Sequence, residues 1–356
     1  MKLLIVTQVV DKNDDVLGAF HQWIFRFSEV FASVEVICLR RGVVDLPPNV
    51  RVHSLGKEEG PSRWKYVTRF YRYIFSLRKD YDVVFVHMNP DYVALGGLFW
   101  RLWGKTTFLW YAHKHGSWLR LLALHIGDRV VSVSKESFAG SDSPKFLAVG
   151  HGVDPDVYSC PTSAAHATKA IMHVGRLTPV KEYGLLIEAA AILRDRHGRN
   201  DFKLKLVGAP VNDADRAYVE GLKKRAAELR LEGMIEWTGS VPNKDLLPHL
   251  CAASAFVNMQ DGGGAGKSFL EAMSCGVPTV VRTPVFNDDL GHWKEILHYD
   301  GSAEDFAAKL DAALSLDDEA RTRMAADLRR IVVEKHNLKN LVRRVRDEYE
   351  SLRARR

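Results

Sequence analysis

The chain has little of what a membrane-spanning, disulfide-rich or metal-dependent protein requires. No apolar run approaches the ~18–20 residues that cross a bilayer, so any membrane contact is expected to be peripheral. Only four cysteines occur, Cys38, Cys160, Cys251 and Cys275, widely spaced and with no CxxC pair. With no secretory leader before them, they predict neither a disulfide framework nor a zinc site, and a reduced, cytoplasmic setting is expected. HExxH and acid-rich metal loops are also missing, so the metal expectation is none. Glycine (26) and proline (13) are too sparse for collagen-like or low-complexity chains, and no short-period repeat is present.

What is there is an ordinary globular composition, 46% apolar and 26% charged over 356 residues. That length exceeds one usual core and predicts about two domains of ~100–200 residues. The formal charge of +6 favours anionic partners without choosing among phosphates, anionic lipid or nucleic acid. Its placement is more informative: Pro61 to Lys79 holds six basic residues, six aromatics and no acid. On a helix Trp64, Val67, Tyr71 and Ile74 share one face, and Lys65, Arg69, Arg72 and Lys79 another. Such a helix either packs on a sheet with its basic face in water or rests on an anionic bilayer.

Short continuous apolar runs read as buried strands at 2–7, 34–39, 50–55, 83–87, 107–111, 129–132 and 146–149. After an aperiodic stretch near 159–168 the pattern restarts, at 170–174, 203–207, 235–238, 255–258 and 279–282. Helices are predicted at 20–31, 183–197, 214–229, 243–253, 268–275, 303–315 and 338–356, among others. Apolar strands alternating with helices predict parallel sheets covered on both faces, hence two successive α/β domains. The expected boundaries are 1–158, a linker at 159–168, 169–335, and a C-terminal helix at 336–356 that crosses back to the first domain.

Open parallel sheets bind ligands beyond the carboxyl ends of their strands, so the strand-to-helix loops hold the candidate groups. His173 to Lys181 leaves a strand for a helix and offers Gly175, Arg176 and Lys181, a pattern suited to phosphate or simply a solvated basic turn. Asp261 to Ser268 places four glycines in five positions before a helix, with Lys267 at its start. It resembles a P-loop but has Asp261 where that pattern needs glycine, and its helix is short. In the first half His87 and His113 lie at strand ends, as proton carriers or as structural residues.

His173 to Lys181, Gly239-Ser-Val-Pro242 and Ser268 to Pro278, in this order, resemble the nucleotide-sugar half of glycosyltransferase family 4. The first half is similar more weakly, through the histidine strand ends, Asp128 to Ser134 and Gly150 to Asp154. The resemblance implies the GT-B architecture, two Rossmann-like domains with parallel sheets facing a central cleft. It implies a retaining, metal-independent transferase moving a sugar from a nucleotide-diphosphate-sugar to a hydroxyl of a glycan or lipid-linked acceptor, with no cofactor. By resemblance Arg176 and Lys181 hold and neutralise the diphosphate, Glu271 takes the ribose hydroxyls, and Gly239, Val241 and Pro242 border the base. Gly264, Ala265, Gly266 and Lys267 would lie against sugar and phosphates, Gly18 matches the first glycine loop, and domain closure would bring His113 to the sugar. The family commonly has a glutamate eight residues before Glu271, where this chain has Gly263. A nucleotide-sugar epimerase, an inactive sugar-nucleotide binder and a P-loop ATPase are the rival readings. No nucleic-acid partner is expected; contact with the inner face of the cytoplasmic membrane is.

Overall fold

The computed structural model describes every residue except 15–16, 113–117, 136–137, 139, 161–168, 262–265 and 356, and not the side chains of 118–120 and 285. The chain divides into two compact units: Met1–Asp154 with Pro242–Lys244 and His336–Arg356, and Pro155–Val241 with Asp245–Lys335.

The first unit is built on seven parallel strands, β1 (Lys2–Val10), β2 (Ser33–Arg41), β3 (Val50–Ser54), β4 (Val83–His87), β5 (Thr106–Trp110), β6 (Arg129–Ser132) and β7 (Phe146–Ala148). Their order across the sheet is β3-β2-β1-β4-β5-β6-β7. The apolar run of β1 serves both faces, because successive side chains point to opposite sides. Leu3 and Ile5 join a core with α1 (Gly18–Val30), and Leu4 and Val6 join one with α2 (Arg63–Ser76) and α3 (Pro90–Leu102). α4 (Trp118–Ile126) adds Ala123 to the second core.

The second unit has five parallel strands, β8 (Lys169–Val174), β9 (Phe202–Val207), β10 (Ile235–Gly239), β11 (Ala255–Asn258) and β12 (Thr279–Val281), in the order β10-β9-β8-β11-β12. Its helices are α5 (Tyr183–Asp195), α6 (Asp213–Glu228), α7 (Leu247–Cys251), α8 (Lys267–Ser274), α9 (Asn287–Leu290), α10 (Lys294–Leu297), α11 (Ala303–Leu314) and α12 (Asp318–Ile331). α13 (Leu338–Ala354) belongs to the first unit. Asn337 caps it, accepting from the Lys339 N–H at 2.8 Å, and Leu338, Leu341, Val342, Val345 and Tyr349 are buried in the core beside α1. Tyr349 stacks on Phe108 of β5 with ring centres 3.7 Å apart.

One expectation is corrected, and the reading of α2 is refined. Cys160 and Cys251 form a disulfide with Cα atoms 5.4 Å apart. The pair is 91 residues apart in sequence, so only the tertiary fold reveals it, and cysteine usage no longer argues for a reduced compartment. On α2, Trp64 is 78% exposed, whereas Ile74 of the same helical face and Phe70 are buried. The basic face of α2 is partly neutralised by Glu59, just outside the acid-free stretch, which binds Lys65 at 2.8 Å and Arg69 at 2.6 Å.

Candidate functional site

In the second sheet β8 lies between β9 and β11, so its carboxyl end is the point where strand order reverses and where such sheets bind ligands. The chain leaving it is pinned to its neighbour: the Gly175 N–H donates to the Val207 carbonyl at 2.9 Å, and the Leu177 N–H to the Ala209 carbonyl at 3.1 Å. Gly208 permits this approach, since a Cβ there would stand 1.9 Å from the Gly175 oxygen, and its φ of +150° suits glycine. The Tyr183 hydroxyl, at the start of α5, donates to the same Gly175 carbonyl at 3.0 Å. The Gly208 N–H donates to the Gly239 carbonyl at 2.8 Å, joining the β10 end to this platform.

Two cations stand over it. Lys181 ends a short 3₁₀ turn, Pro179–Lys181, and returns toward Gly175, whose Cβ position would be 3.5 Å from Lys181 Cε. Lys181 Nζ donates to the neutral Gln260 Oε1 at 2.6 Å. Burial, and then the charge of Arg176, hold the Lys181 ammonium below its usual pKa. Arg176 is exposed, and its guanidinium makes no hydrogen bond or ion pair among the described residues. A neighbouring pair of cations with no carboxylate on either one is a site that an anion relieves.

His173, the next-to-last residue of β8, is buried beneath them. Its Nδ1 lies 2.7 Å from the Val257 carbonyl, which only accepts, so Nδ1 carries the proton and the Nε2 lone pair faces the Gly175 position at 3.0 Å. Burial drives its pKa down to about 4, so this ring is neutral. α8 is brought to the same edge by Ser268, whose hydroxyl donates to the Val174 carbonyl at 3.0 Å. Lys267 is the first residue of α8, with its pKa lowered to about 8 by burial against the opposing pull of Glu271 one turn on. Glu271 itself is buried.

The structure thus gathers Gly175, Arg176, Lys181, Gly239, Lys267 and Glu271 at one edge, with Gly266 as the residue preceding α8 and Val241 half-buried two residues past β10. Pro242 groups with the first unit, as does Gly18, the buried first residue of α1. His113, Gly264, Ala265 and the glutamate-replacing Gly263 lie outside the described residues. Sequence reasoning missed Gln260 and Arg282. Arg282 binds Glu182 at 2.8 Å and lies 3.9 Å from Asp261. Both follow strand ends, two residues past β11 and one past β12, so the rule that found Gly175 also pointed to them.

At the corresponding edge of the first sheet, which also holds an aromatic cluster, the cations Lys12 and Arg40 carry carboxylate partners, Lys12 with Asp45 at 3.0 Å and Arg40 with Asp14. His87 closes β4, accepts or donates to Thr7 Oγ1 at 3.2 Å, and stacks on Phe20 with ring centres 3.7 Å apart. Trp23 lies beside it, against Trp110 at 4.8 Å, and donates from Nε1 to the Gly152 carbonyl at 3.0 Å.

Residues 162–330, nearly all of the second unit, match the family model described as glycosyl transferases group 1. The chain carries a group 1 glycosyl transferase domain. Around that domain the fold is that of the GT-B glycosyltransferases. The chain superposes on sucrose-phosphate synthase from Thermosynechococcus elongatus with a TM-score of 0.78 at 17% identity, covering 100% of both chains. HepE of Anabaena, in a complex with UDP and glucose, gives 0.77 at 15% identity, covering 99% of this chain and 100% of that one. Curated relatives include mannosylfructose-phosphate synthase of Agrobacterium fabrum, 32% identical over 32% of this chain and 25% of its own. D-inositol 3-phosphate glycosyltransferase of Kineococcus radiotolerans is 27% identical over 52% of this chain and 47% of its own. The chain therefore spans between a quarter and a half of these curated glycosyltransferases.

Proposed function

We propose that the protein is a retaining, metal-independent glycosyltransferase that moves a sugar from a nucleotide-diphosphate-sugar to a hydroxyl acceptor in surface glycan or glycolipid synthesis. One observation carries this reading: at the switch point of the second sheet Arg176 and Lys181 are neighbours with no carboxylate on either among the described residues, over a platform of close-packed backbone. As the bond from sugar carbon 1 to the diphosphate oxygen breaks, the acceptor oxygen bonds to that carbon and its proton leaves toward the departing diphosphate. Negative charge grows on the diphosphate, and two prepositioned cations stabilise it without needing a metal. Glu271 takes the ribose hydroxyls, and Lys267 takes a phosphate or sugar oxygen in the region where the family pattern has its first glutamate. The HepE complexes with UDP and UDP-glucose support a uridine donor as the first to try.

The test is turnover of UDP-glucose against a panel of hydroxyl acceptors in the presence of a chelator, with proton NMR of the product. The reading expects acceptor-dependent release of UDP and an α-linked product from the α-linked donor. A β-linked product, an absolute need for divalent metal, or conversion of the donor without any acceptor would each contradict it.

For location, we propose a cytoplasmic protein held peripherally on an anionic membrane. No described helix is long and apolar enough to cross one. Support comes from α2 and α3, where Trp64, Phe75, Leu98 and Leu102 are exposed beside Arg63 and Arg72, neither of which has an ion-pair partner among the described residues. Arg63→Glu with Arg72→Glu should abolish co-sedimentation with phosphatidylserine vesicles at low salt. Unchanged binding would remove the membrane from the account.

A further inference from the structure

The opposite, amino-terminal edge of the second sheet holds a cavity of about 550 Å³ that the donor reading does not use. Its walls come from the starts of β8, β11 and β12, where Lys169, Ser254 and Pro278 lie, and from α12. Three cysteines face it: Cys160 near the entry to 161–168, Cys251 at the end of α7, and Cys275 immediately after α8. Their sulfurs all lie within 4.8 Å of one another, and each residue is half-buried. Two of them share the disulfide, which leaves Cys275 as a single thiol beside it.

We propose that, once the Cys160–Cys251 disulfide is reduced, Cys160, Cys251 and Cys275 form a three-thiolate site for a thiophilic d10 cation, Zn(II) or Cu(I).

Metal–thiolate bonds of about 2.3 Å set three sulfurs around one ion roughly 4 Å apart. The trio already lies within that reach, and reduction only has to relax one S–S bond into two free thiols. A phosphine does this with balanced chemistry: the two sulfurs gain two electrons and two protons, and the phosphine takes the oxygen of one water. Three thiolates with a divalent ion carry a net negative charge, and the cavity supplies the counter-charge. Arg329 donates only to the carbonyls of Pro155, Tyr158 and Ser274, at 2.6 to 2.9 Å, and Arg321 only to those of Ser254 and Ala313, at 3.2 and 3.3 Å. Among the described residues neither guanidinium is hydrogen-bonded to a carboxylate, which leaves their charge to the sulfurs. The cavity leaves room for a fourth ligand from solvent, and thiolates rather than carboxylates select soft ions over Mg²⁺ or Ca²⁺. Because the ligands come from α7, from the end of α8 and from the chain entering 161–168, the ion would tie together segments that the disulfide joins only in part. The oxidation state therefore decides which cross-link this edge carries.

The experiment uses the whole, untagged protein, reduced with a phosphine, freed of it without oxygen, and titrated with Co(II). One equivalent should bind with a sulfur-to-cobalt charge-transfer band that Zn(II) then bleaches, and the unreduced protein should show no such band. Cys275→Ser keeps the disulfide pair, yet should weaken binding by more than the ~10–100-fold expected from disturbing an outer-shell partner. Cys38→Ser, buried on β2 in the first unit, should bind as the parent does. Absence of the band in the reduced parent would overturn the proposal. So would Cys275→Ser binding as tightly as the parent with circular dichroism unchanged.

Discussion

The two sheets share a wiring plan and differ in what stands at the reversal point. In each, the first strand of the unit sits between its second strand and a later one, β1 between β2 and β4, and β8 between β9 and β11. At the end of β8 the side chains are Arg176, Lys181 and, from α8, Lys267. In the first unit His87 closes β4, packed on Phe20 and Trp23 and paired with Thr7 inside β1, while the cations at the ends of β1 and β2, Lys12 and Arg40, are paired with Asp45 and Asp14. The topology repeats while the side chains differ: among the described residues Arg176 and Lys181 have no carboxylate partner, whereas Lys12 and Arg40 of the first unit each have one, so on the proposed reading an anion goes to the second unit.

Mutations can break or sharpen that contrast. The largest stability effect is expected from Trp23→Ala, which removes a ring buried against Phe20 and Trp110 together with its bond to Gly152. Loss of about 3–5 kcal/mol is expected from the first unit, read by urea unfolding, with nucleoside-diphosphate affinity unchanged under native conditions. An equal loss of nucleotide affinity would blur the assignment of anion binding to the second unit.

Lys181→Ala comes next, lowering donor turnover by ~10²–10³ as expected for one donor to a developing oxyanion. Steady-state rates at saturating donor check it, and Lys181→Arg should recover part of the loss.

His173 gives a pH signature confined to the second unit. Its folded pKa, about 4, lies below the ordinary imidazole value of 6.5, so the unfolded chain binds the proton first. Stability contributed by the neutral ring is complete above pH 6.5, declines as pH falls, and is gone below about 4, a total of about 3 kcal/mol. Urea midpoints measured across that range should flatten in His173→Gln. An identical slope in the variant would assign the pH dependence elsewhere.

The smallest effect is at Lys267, whose pKa of about 8 reflects burial of its charged form. A bound diphosphate favours that charged form and raises the pKa, so binding near pH 8 to 9 should take up a fraction of one proton. Calorimetry in buffers of different ionisation enthalpy measures this, and Lys267→Met should abolish it.

The strands were legible because β1, β4 and β5 are buried on both faces along most of their length and so carry the apolar runs 3–6, 83–86 and 108–110. Gly175, Arg176 and Lys181 were legible because strand-end loops in parallel sheets carry ligand chemistry, whereas Glu271, inside α8, was legible only through the family resemblance. α12 escaped notice although Met324, Leu328 and Ile331 repeat at helical spacing, since its other residues are mostly charged and its packed stripe is narrow. The helix expected over 243–253 is only Leu247–Cys251 in the structure. Gln260 and Arg282 follow strand ends as Gly175 does, but their contacts with Lys181 and Glu182 depend on the fold gathering three strand ends, and the Cys160–Cys251 bond depends on a contact across 91 residues. Periodicity describes one element at a time and carries no information about such meetings.

The central claim, that the cationic edge of the second sheet binds a nucleoside diphosphate without metal, is tested most directly by calorimetric titration of UDP, GDP and ADP in a chelator. The parent and Lys181→Ala should be measured side by side. The account predicts saturable binding of one of the three by the parent, lost or strongly weakened in Lys181→Ala. Binding that appears only with magnesium, or that Lys181→Ala retains in full, would contradict it.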